Sequence, residues 1–378
     1  MLLIEICSMS LAQSANENNQ TQQVRIRVDG LSCPFCAYGL EKKLQDIDGV
    51  NEIKIDIDQG LATLRVSEDK TVSEEEIRKV VKPAGFTPKK IVLPIYLQKR
   101  KRKMKIVKRM AIKYGFGGLF LSVILIGCNT STEWTFDREV SLNNITPIGI
   151  IYDNESLWLS DAKNDRIVQI SLNGEILNEY KGFQRPMHIS KTGSSIYIAE
   201  YLTDAIKVID NNKVSNIEIS ETLDAPGGVD VKDNLIAVAD FYNHRVILQE
   251  GPNTTIIGDE GHEDGQLYYP TDVQLYDDKV FVADAYNYRV QVFDKTGNSL
   301  KIIGWQENID VATGIVVNND QLFITDFEGS RILIYDLDGN LLQILTDHFD
   351  KPTDIFVFES TMYVANYKGQ SVSVFTQD

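Results

Sequence analysis

Cysteine is scarce in this chain of 378 residues, with four in all, and histidine is equally rare. Cys33 and Cys36 form a CxxC and Cys128 closes an apolar run, so no pair is left to staple a fold. That excludes a disulfide scaffold. Long hydrophobic runs are missing too. The uncharged, mostly apolar residues 114–127 fall short of the roughly 20 that an ordinary spanning helix takes. No Gly-x-Ser-x-Gly, phosphate loop or dinucleotide fingerprint occurs anywhere. Basic residues thin out where acidic ones gather: residues 129–378 hold 17 basic and 40 acidic side chains. Such a balance argues against nucleic acid as its partner, since phosphate neutralisation needs Lys and Arg. Solvated carboxylates on an extracytoplasmic surface are its simplest account.

What is present divides the chain into four stretches. Residues 1–20 look like the remnant of a signal segment and a polar linker. They lack a basic start, and Glu5 interrupts the apolar run. Residues 21–93 carry the pattern of a small α+β module. Val24, Ile26 and Val28 alternate with charged residues as in a half-buried strand, and residues 34–44 place Ala37, Leu40 and Leu44 at helical spacing. Two strands follow around the turn Asp58-Gln-Gly60. Ser73-Glu-Glu-Glu76 is a capping-box signature for a second helix, and a last strand runs over 86–93. The order βαββαβ predicts a ferredoxin-like sandwich.

The chemistry of this module sits in Gly30-Leu-Ser-Cys-Pro-Phe-Cys36, where the first strand meets the first helix. Thiolates bind metal, and a helix N-terminus lowers a cysteine pKa through its dipole and free N–H groups. Two intervening residues let both sulfurs converge on one soft ion. With two ligands the site stays open, which suits transfer better than storage. A redox CxxC or two inert thiols are the competing readings, although a thioredoxin-like site expects another strand order. Over residues 23–92 the stretch resembles the heavy-metal-associated domain of copper chaperones, metal-ATPase N-termini and periplasmic mercury carriers. Leu31 and Ser32 replace the usual Met and Thr of that family's Gly-Met-Thr-Cys-x-x-Cys. Val81-Lys-Pro-Ala-Gly-Phe86 matches its final loop, which implies Phe86 as a neighbour of the metal. The resemblance implies Cu(I), Hg(II) or another soft ion as cargo and a metal-donor or acceptor protein as partner.

Residues 94–128 join a basic segment, with nine Lys and Arg and no acid between Lys99 and Lys113, to the apolar run ending Leu-Ile-Gly-Cys128. This is the make-up of a secretory signal. It resembles a bacterial lipoprotein signal, which implies lipidation of Cys128 and a propeller anchored to a membrane of the cell envelope. Two arrangements are open. In one, positive charge holds residues 99–113 and the metal-binding domain in the cytoplasm while the propeller crosses and is cut off at Cys128. In the other, two proteins, a metal carrier and a propeller lipoprotein, are read as one and each is exported, which places the metal-binding domain in the periplasm.

Residues 129–378 repeat. Trp158-Leu-Ser-Asp161, Tyr197-Ile-Ala-Glu200, Ala237-Val-Ala-Asp240, Phe281-Val-Ala-Asp284, Phe323-Ile-Thr-Asp326 and Tyr363-Val-Ala-Asn366 recur about every 40 residues, as propeller blades do. The fold expected is therefore multidomain: the α+β ferredoxin-like module, then an all-β six-bladed propeller closed by residues 134–140. The copies resemble NHL repeats, on Asp240-Phe-Tyr-Asn-His-Arg245 and Asp284-Ala-Tyr-Asn-Tyr-Arg289. The spacing of Asp161 to Arg166, Asp240 to Arg245, Asp284 to Arg289 and Asp326 to Arg331 predicts structural ion pairs. Ala205 and Ser371 break the pattern in blades two and six.

The residue two after the start of each innermost strand reads Gly149, His188, Gly228, Asp272, Gly314 and Asp354. The polar ones fall on alternate blades, so His188, Asp272 and Asp354 converge by pseudo-threefold symmetry and suit a divalent cation. The plainer account is that the carboxylates bond backbone N–H groups. His244, His262 and His348 read as solvated loop histidines. The functional expectation is soft-metal binding and transfer by the CxxC module beside a non-catalytic propeller platform for a cell-envelope partner. The alternative for the propeller is a metal-assisted hydrolase or lyase, by architectural likeness to lactonase-type and peptidylglycine-lyase propellers.

Overall fold

The computed structural model describes residues 22–93 and 133–377, apart from Gly30, Ser32, Asp58, Glu68 and residues 83–85. Residues 1–20, the basic stretch and Cys128 lie outside the described residues. Among the described residues no helix is long and apolar enough to cross a membrane.

The first module runs β1 (Gln22–Asp29), α1 (Pro34–Gln45), β2 (Val50–Asp56), β3 (Leu61–Val66), α2 (Glu74–Val81) and β4 (Thr87–Val92). Its sheet has the order β2-β3-β1-β4, and the neighbours pair antiparallel. This is the ferredoxin-like arrangement. Val24, Ile26 and Val28 are buried while Arg25 and Arg27 between them are exposed, as an alternating strand requires. Gly60 turns the chain between β2 and β3 at φ +58°, and a Cβ there would sit 2.7 Å from the Val28 carbonyl oxygen. Only glycine fits both conditions. The capping box is formed: Ser73 Oγ accepts the Glu76 N–H at 3.2 Å, and the Glu76 carboxylate accepts the Ser73 N–H at 2.7 Å. It sets the start of α2, which buries Ile77 and Val81.

The second module is six four-stranded sheets. Their innermost strands are Pro147–Asp153, Pro186–Thr192, Pro226–Lys232, Pro270–Tyr276, Ala312–Asn318 and Pro352–Phe358. Each touches the next and the last touches the first, so the ring closes. The recurring Trp-Leu-Ser-Asp-type signatures fall on the second strand of each blade. Blade six takes its outermost strand from the module's own beginning: β5 (Trp134–Ser141) pairs with Ser371–Gln377. Closure of this kind leaves only short, protected edges.

The cores lie between blades. Ile150, Leu157 and Leu159 of blade one pack with Tyr363, Ala365 and Val374 of blade six. Phe281 and Val290 of blade four pack with Ile315 and Leu322 of blade five. Each fully buried side chain of this size contributes about 1.5–3 kcal/mol, so the join between blades six and one is as well cemented as those inside the chain.

Candidate metal centre

Cys33 precedes Pro34, the first residue of α1, and caps the helix. Its carbonyl accepts the Ala37 N–H at 3.1 Å, and its sulfur accepts the Cys36 N–H at 3.5 Å. The two sulfurs are 2.8 Å apart and neither belongs to a disulfide. One turn of helix thus brings together the pair that the CxxC spacing predicts. The direction of the Cys33 pKa is opposite to that expected of a helix N-terminus. Burial, and after it the Cys36 thiol, push Cys33 well above its ordinary value and outweigh the Cys36 N–H. The capping bond is real but too weak to win. Phe86 is buried at the foot of β4, where Thr87 pairs with Asp29 at the end of β1. It therefore lies at the end of the sheet from which the CxxC segment departs.

In the propeller, all four predicted ion pairs form. Nε of Arg166, Arg245, Arg289 and Arg331 stands 2.7, 2.9, 2.8 and 2.8 Å from Oδ2 of Asp161, Asp240, Asp284 and Asp326. Each pair joins residues directly opposite on the second and third strands. The sequence reading missed the other half of the device. Asp240 Oδ1 also accepts the Asp224 N–H at 2.8 Å, and Asp284 Oδ1 the Tyr268 N–H at 2.7 Å, which ties down the loop entering each blade. The two irregular blades keep this job with other chemistry. In blade two Glu200 pairs with Lys207 at 2.8 Å; in blade six Asn366 bonds Ser373 Oγ at 2.8 Å. A spacing of seven in place of five is the signal for both.

The structure brings His188, Asp272 and Asp354 together. Their ligand atoms lie within 4.8 Å of one another, and all three residues are buried. Both carboxylates do bond backbone N–H groups. Asp272 accepts from Val273 and, on blade five, from Ile315, each at 2.9 Å. Asp354 accepts from Ile355 and, on blade one, from Ile150, each at 2.8 Å. His188 Nδ1 is 3.3 Å from Asp354 Oδ2, yet neither ring nitrogen has a partner in hydrogen-bond geometry. Burial opposes a charge on His188, but the carboxylates of Asp272 and then Asp354 outweigh it and push the imidazole up to about 9. Burial, offset by His188, raises Asp272 to about 7.

The glycines on the alternating blades make room for these side chains. A Cβ on Gly228 would stand 2.7 Å from Asp272 Oδ1, and one on Gly314 would stand 2.8 Å from Asp354 Oδ1. The triad lines a cavity of about 180 Å³ that also takes in Ser190, Asp230 and Gln274. Of the remaining histidines, His262 and His348 are exposed as expected. His244 is not a solvated loop residue: it is buried, and its Nδ1 accepts the Tyr269 N–H at 3.1 Å.

Known proteins resemble the two modules separately. Residues 25–87 match the heavy-metal-associated domain, and residues 231–373 match a 6-bladed beta-propeller family. An uncharacterized protein of Haemophilus influenzae is 31% identical over 86 residues, which are 23% of this chain and 87% of that protein. Copper-transporting ATPase 1 of Rattus norvegicus is 26% identical over 110 residues, 28% of this chain but 7% of the ATPase. Virginiamycin B lyase from Staphylococcus aureus superposes with a TM-score of 0.50 at 15% identity, over 65% of this chain and 99% of the lyase. A protein of unknown function from Bacteroides thetaiotaomicron gives 0.52 at 16% identity, over 66% and 73%. At such identities the likeness to solved structures shows the propeller fold alone.

Proposed function

Because this chain belongs to the heavy-metal-associated domain family through residues 25–87 and carries a six-bladed β-propeller after it, we propose that it binds one Cu(I) ion at Cys33 and Cys36 and exchanges it with a partner protein. The observation that carries this reading is the pair of sulfurs, in no disulfide and 2.8 Å apart across the first turn of α1. Thiolates are soft ligands and favour Cu(I) over harder ions. Two protein ligands leave coordination positions for a donor or acceptor, so the ion can pass without being released to water. Since Cys33 and Cys36 are buried, that exchange requires the CxxC segment to be uncovered first. The likeness to part of a copper-transporting ATPase supports copper as the cargo.

The test is titration of the full chain with Cu(I) against a colorimetric Cu(I) chelator. One equivalent is withheld from the chelator by the parent and none by Cys33→Ser/Cys36→Ser. Equal retention by the double variant overturns the reading.

The propeller, in this proposal, is a binding platform in the cell envelope, held at a membrane by lipid on Cys128. Leu-Ile-Gly-Cys128 after a basic and apolar stretch supports that anchoring. Intact mass of the natively produced protein tests it, and also tests whether both modules remain in one polypeptide. A species beginning at a diacylglyceryl-modified Cys128 agrees with it. An unmodified chain extending through Cys128 sinks it.

A further inference from the structure

We infer that His188, Asp272 and Asp354 form a second metal site, which takes one divalent first-row transition ion, Zn²⁺ or Mn²⁺, in the propeller channel. The inference stands apart from the CxxC reading, since it uses neither cysteine.

The first support is an unexplained group. Buried polar atoms are almost always satisfied, and exceptions call for a reason. Both nitrogens of His188 are buried without a hydrogen-bond partner, though two carboxylates stand beside the ring. An ion coordinated by Nδ1 would give one of the two a partner.

The second support is geometry. His188 Nδ1 and Asp354 Oδ2 are 3.3 Å apart. Two ligands each about 2.1 Å from one ion and separated by that distance subtend roughly 100°, near the tetrahedral value. Backbone N–H bonds do not use up the carboxylates. Each oxygen of Asp272 and Asp354 accepts one such bond, and a carboxylate oxygen carries a further lone pair. Those bonds fix both side chains, so the ligands are positioned before an ion arrives.

The ligand set chooses the ion. One imidazole and two carboxylates suit Zn²⁺ or Mn²⁺; Ca²⁺ asks for six to eight oxygens, and Cu(I) for thiolates. Three protein ligands leave open positions. The cavity beside the triad, about 180 Å³, has room for water there, and it presents Ser190 Oγ, itself buried without a partner. An ion with exchangeable water next to a half-open polar cavity is equipped to take a small oxygen-donor ligand.

The full chain carrying Cys33→Ser/Cys36→Ser is stripped with EDTA and titrated calorimetrically with Zn²⁺ and with Mn²⁺. One equivalent of at least one ion binds. Adding Asp272→Asn, which keeps an oxygen for the Ile315 N–H, or His188→Gln weakens that binding ten-fold or more. Circular dichroism in EDTA checks that each variant is folded. If one is not, ¹¹³Cd NMR of the cadmium-loaded parent decides, with a shift typical of mixed nitrogen and oxygen ligation expected. No binding by the parent, binding that both folded variants retain in full, or a cadmium shift of another ligand class overturns the site.

Discussion

Asp354 Oδ2 accepts the backbone N–H of Ile150 at 2.8 Å, so a side chain of blade six holds the innermost strand of blade one where the ring closes. Its other oxygen accepts the Ile355 N–H at 2.8 Å. Asp354→Ala leaves both buried N–H groups without an acceptor, and each such group costs about 1–3 kcal/mol. The propeller should lose about 2–6 kcal/mol. Asp354→Asn keeps one oxygen and should lose about half of that. Trp134, Trp158 and Trp305 all belong to the propeller, so tryptophan fluorescence in a urea titration with EDTA present reports this module alone. Equal losses for the two variants would show that charge, not the closing bond, matters at this position.

The glycines facing the triad give a second prediction. A Cβ at Gly314 would be 2.8 Å from Asp354 Oδ1 and 2.6 Å from the Thr353 carbonyl oxygen. Both contacts are closer than real Cβ atoms approach, and the carbonyl cannot swing aside. Gly314→Ala should therefore destabilise the propeller by about 1–3 kcal/mol, the usual range for overpacking. The same substitution at Gly182, whose Cβ would meet nothing within 4 Å, carries no clash, although its φ of +92° strains a side chain. Urea midpoints of the two variants separate clash from strain. If Gly182→Ala is as damaging as Gly314→Ala, crowding beside Asp354 is not the cause.

These contacts mark how far the sequence could be read. The period of about 40 residues revealed six blades. The CxxC was legible because its partners are three residues apart. Asp240 and Arg245 were legible because strand alternation puts them opposite each other. The bond from Asp272 to Ile315, or from Asp230 to Leu275 at 2.8 Å, was not. It joins residues more than 40 positions apart whose meeting depends on the pitch of the ring. The alternation of glycine with His188, Asp272 and Asp354 was visible as a pattern; that each glycine is a space kept for the neighbouring blade was not. The replacement of Arg by Lys207 two positions later was not legible either, because it abandons the five-residue spacing that the other blades share.

Arg289 and Asp284 are the most buried of the recurring pairs, and Arg289 also donates to the carbonyls of Glu263 and Gln266 at 2.7 and 3.0 Å. Removing one partner of a buried pair leaves an uncompensated charge and costs about 3–5 kcal/mol. Arg289→Ala should fall in that range. Blade six does the same job without charge, using Asn366 with Ser371 and Ser373. Transplanting that solution as Asp284→Asn/Arg289→Ser should therefore be less damaging than Arg289→Ala alone. A double-mutant cycle on urea denaturation measures the coupling. A double variant worse than Arg289→Ala would mean that the lost carbonyl contacts, not the stranded carboxylate, dominate.

Asp294 gives a prediction about pH. It opens the turn after the third strand of blade four. Its Oδ1 accepts the Thr296 hydroxyl at 2.7 Å and the backbone N–H groups of Thr296 and Asn298 at 2.8 and 3.0 Å; Oδ2 accepts the Asn298 side chain at 2.8 Å. These donors, the Thr296 hydroxyl first, hold the carboxyl well below the usual range. A depressed folded pKa means that the charged form stabilises the fold. That contribution is complete above the unfolded value of about 3.9 and is lost as pH falls through the folded one. Asp336 opens the matching turn in blade five. Partial burial opposes its charge, but Asn340 wins and lowers it as well. Asp338 stands where Asp294's turn has Thr296, so the hydroxyl donor is missing there. Carboxyl-carbon NMR between pH 2 and 6 should show Asp294 titrating below Asp336, and Thr296→Ala should bring the two midpoints together. If the midpoint of Asp294 does not move in that variant, the Asn298 side chain and the backbone donors set it, and the hydroxyl contributes nothing to the turn.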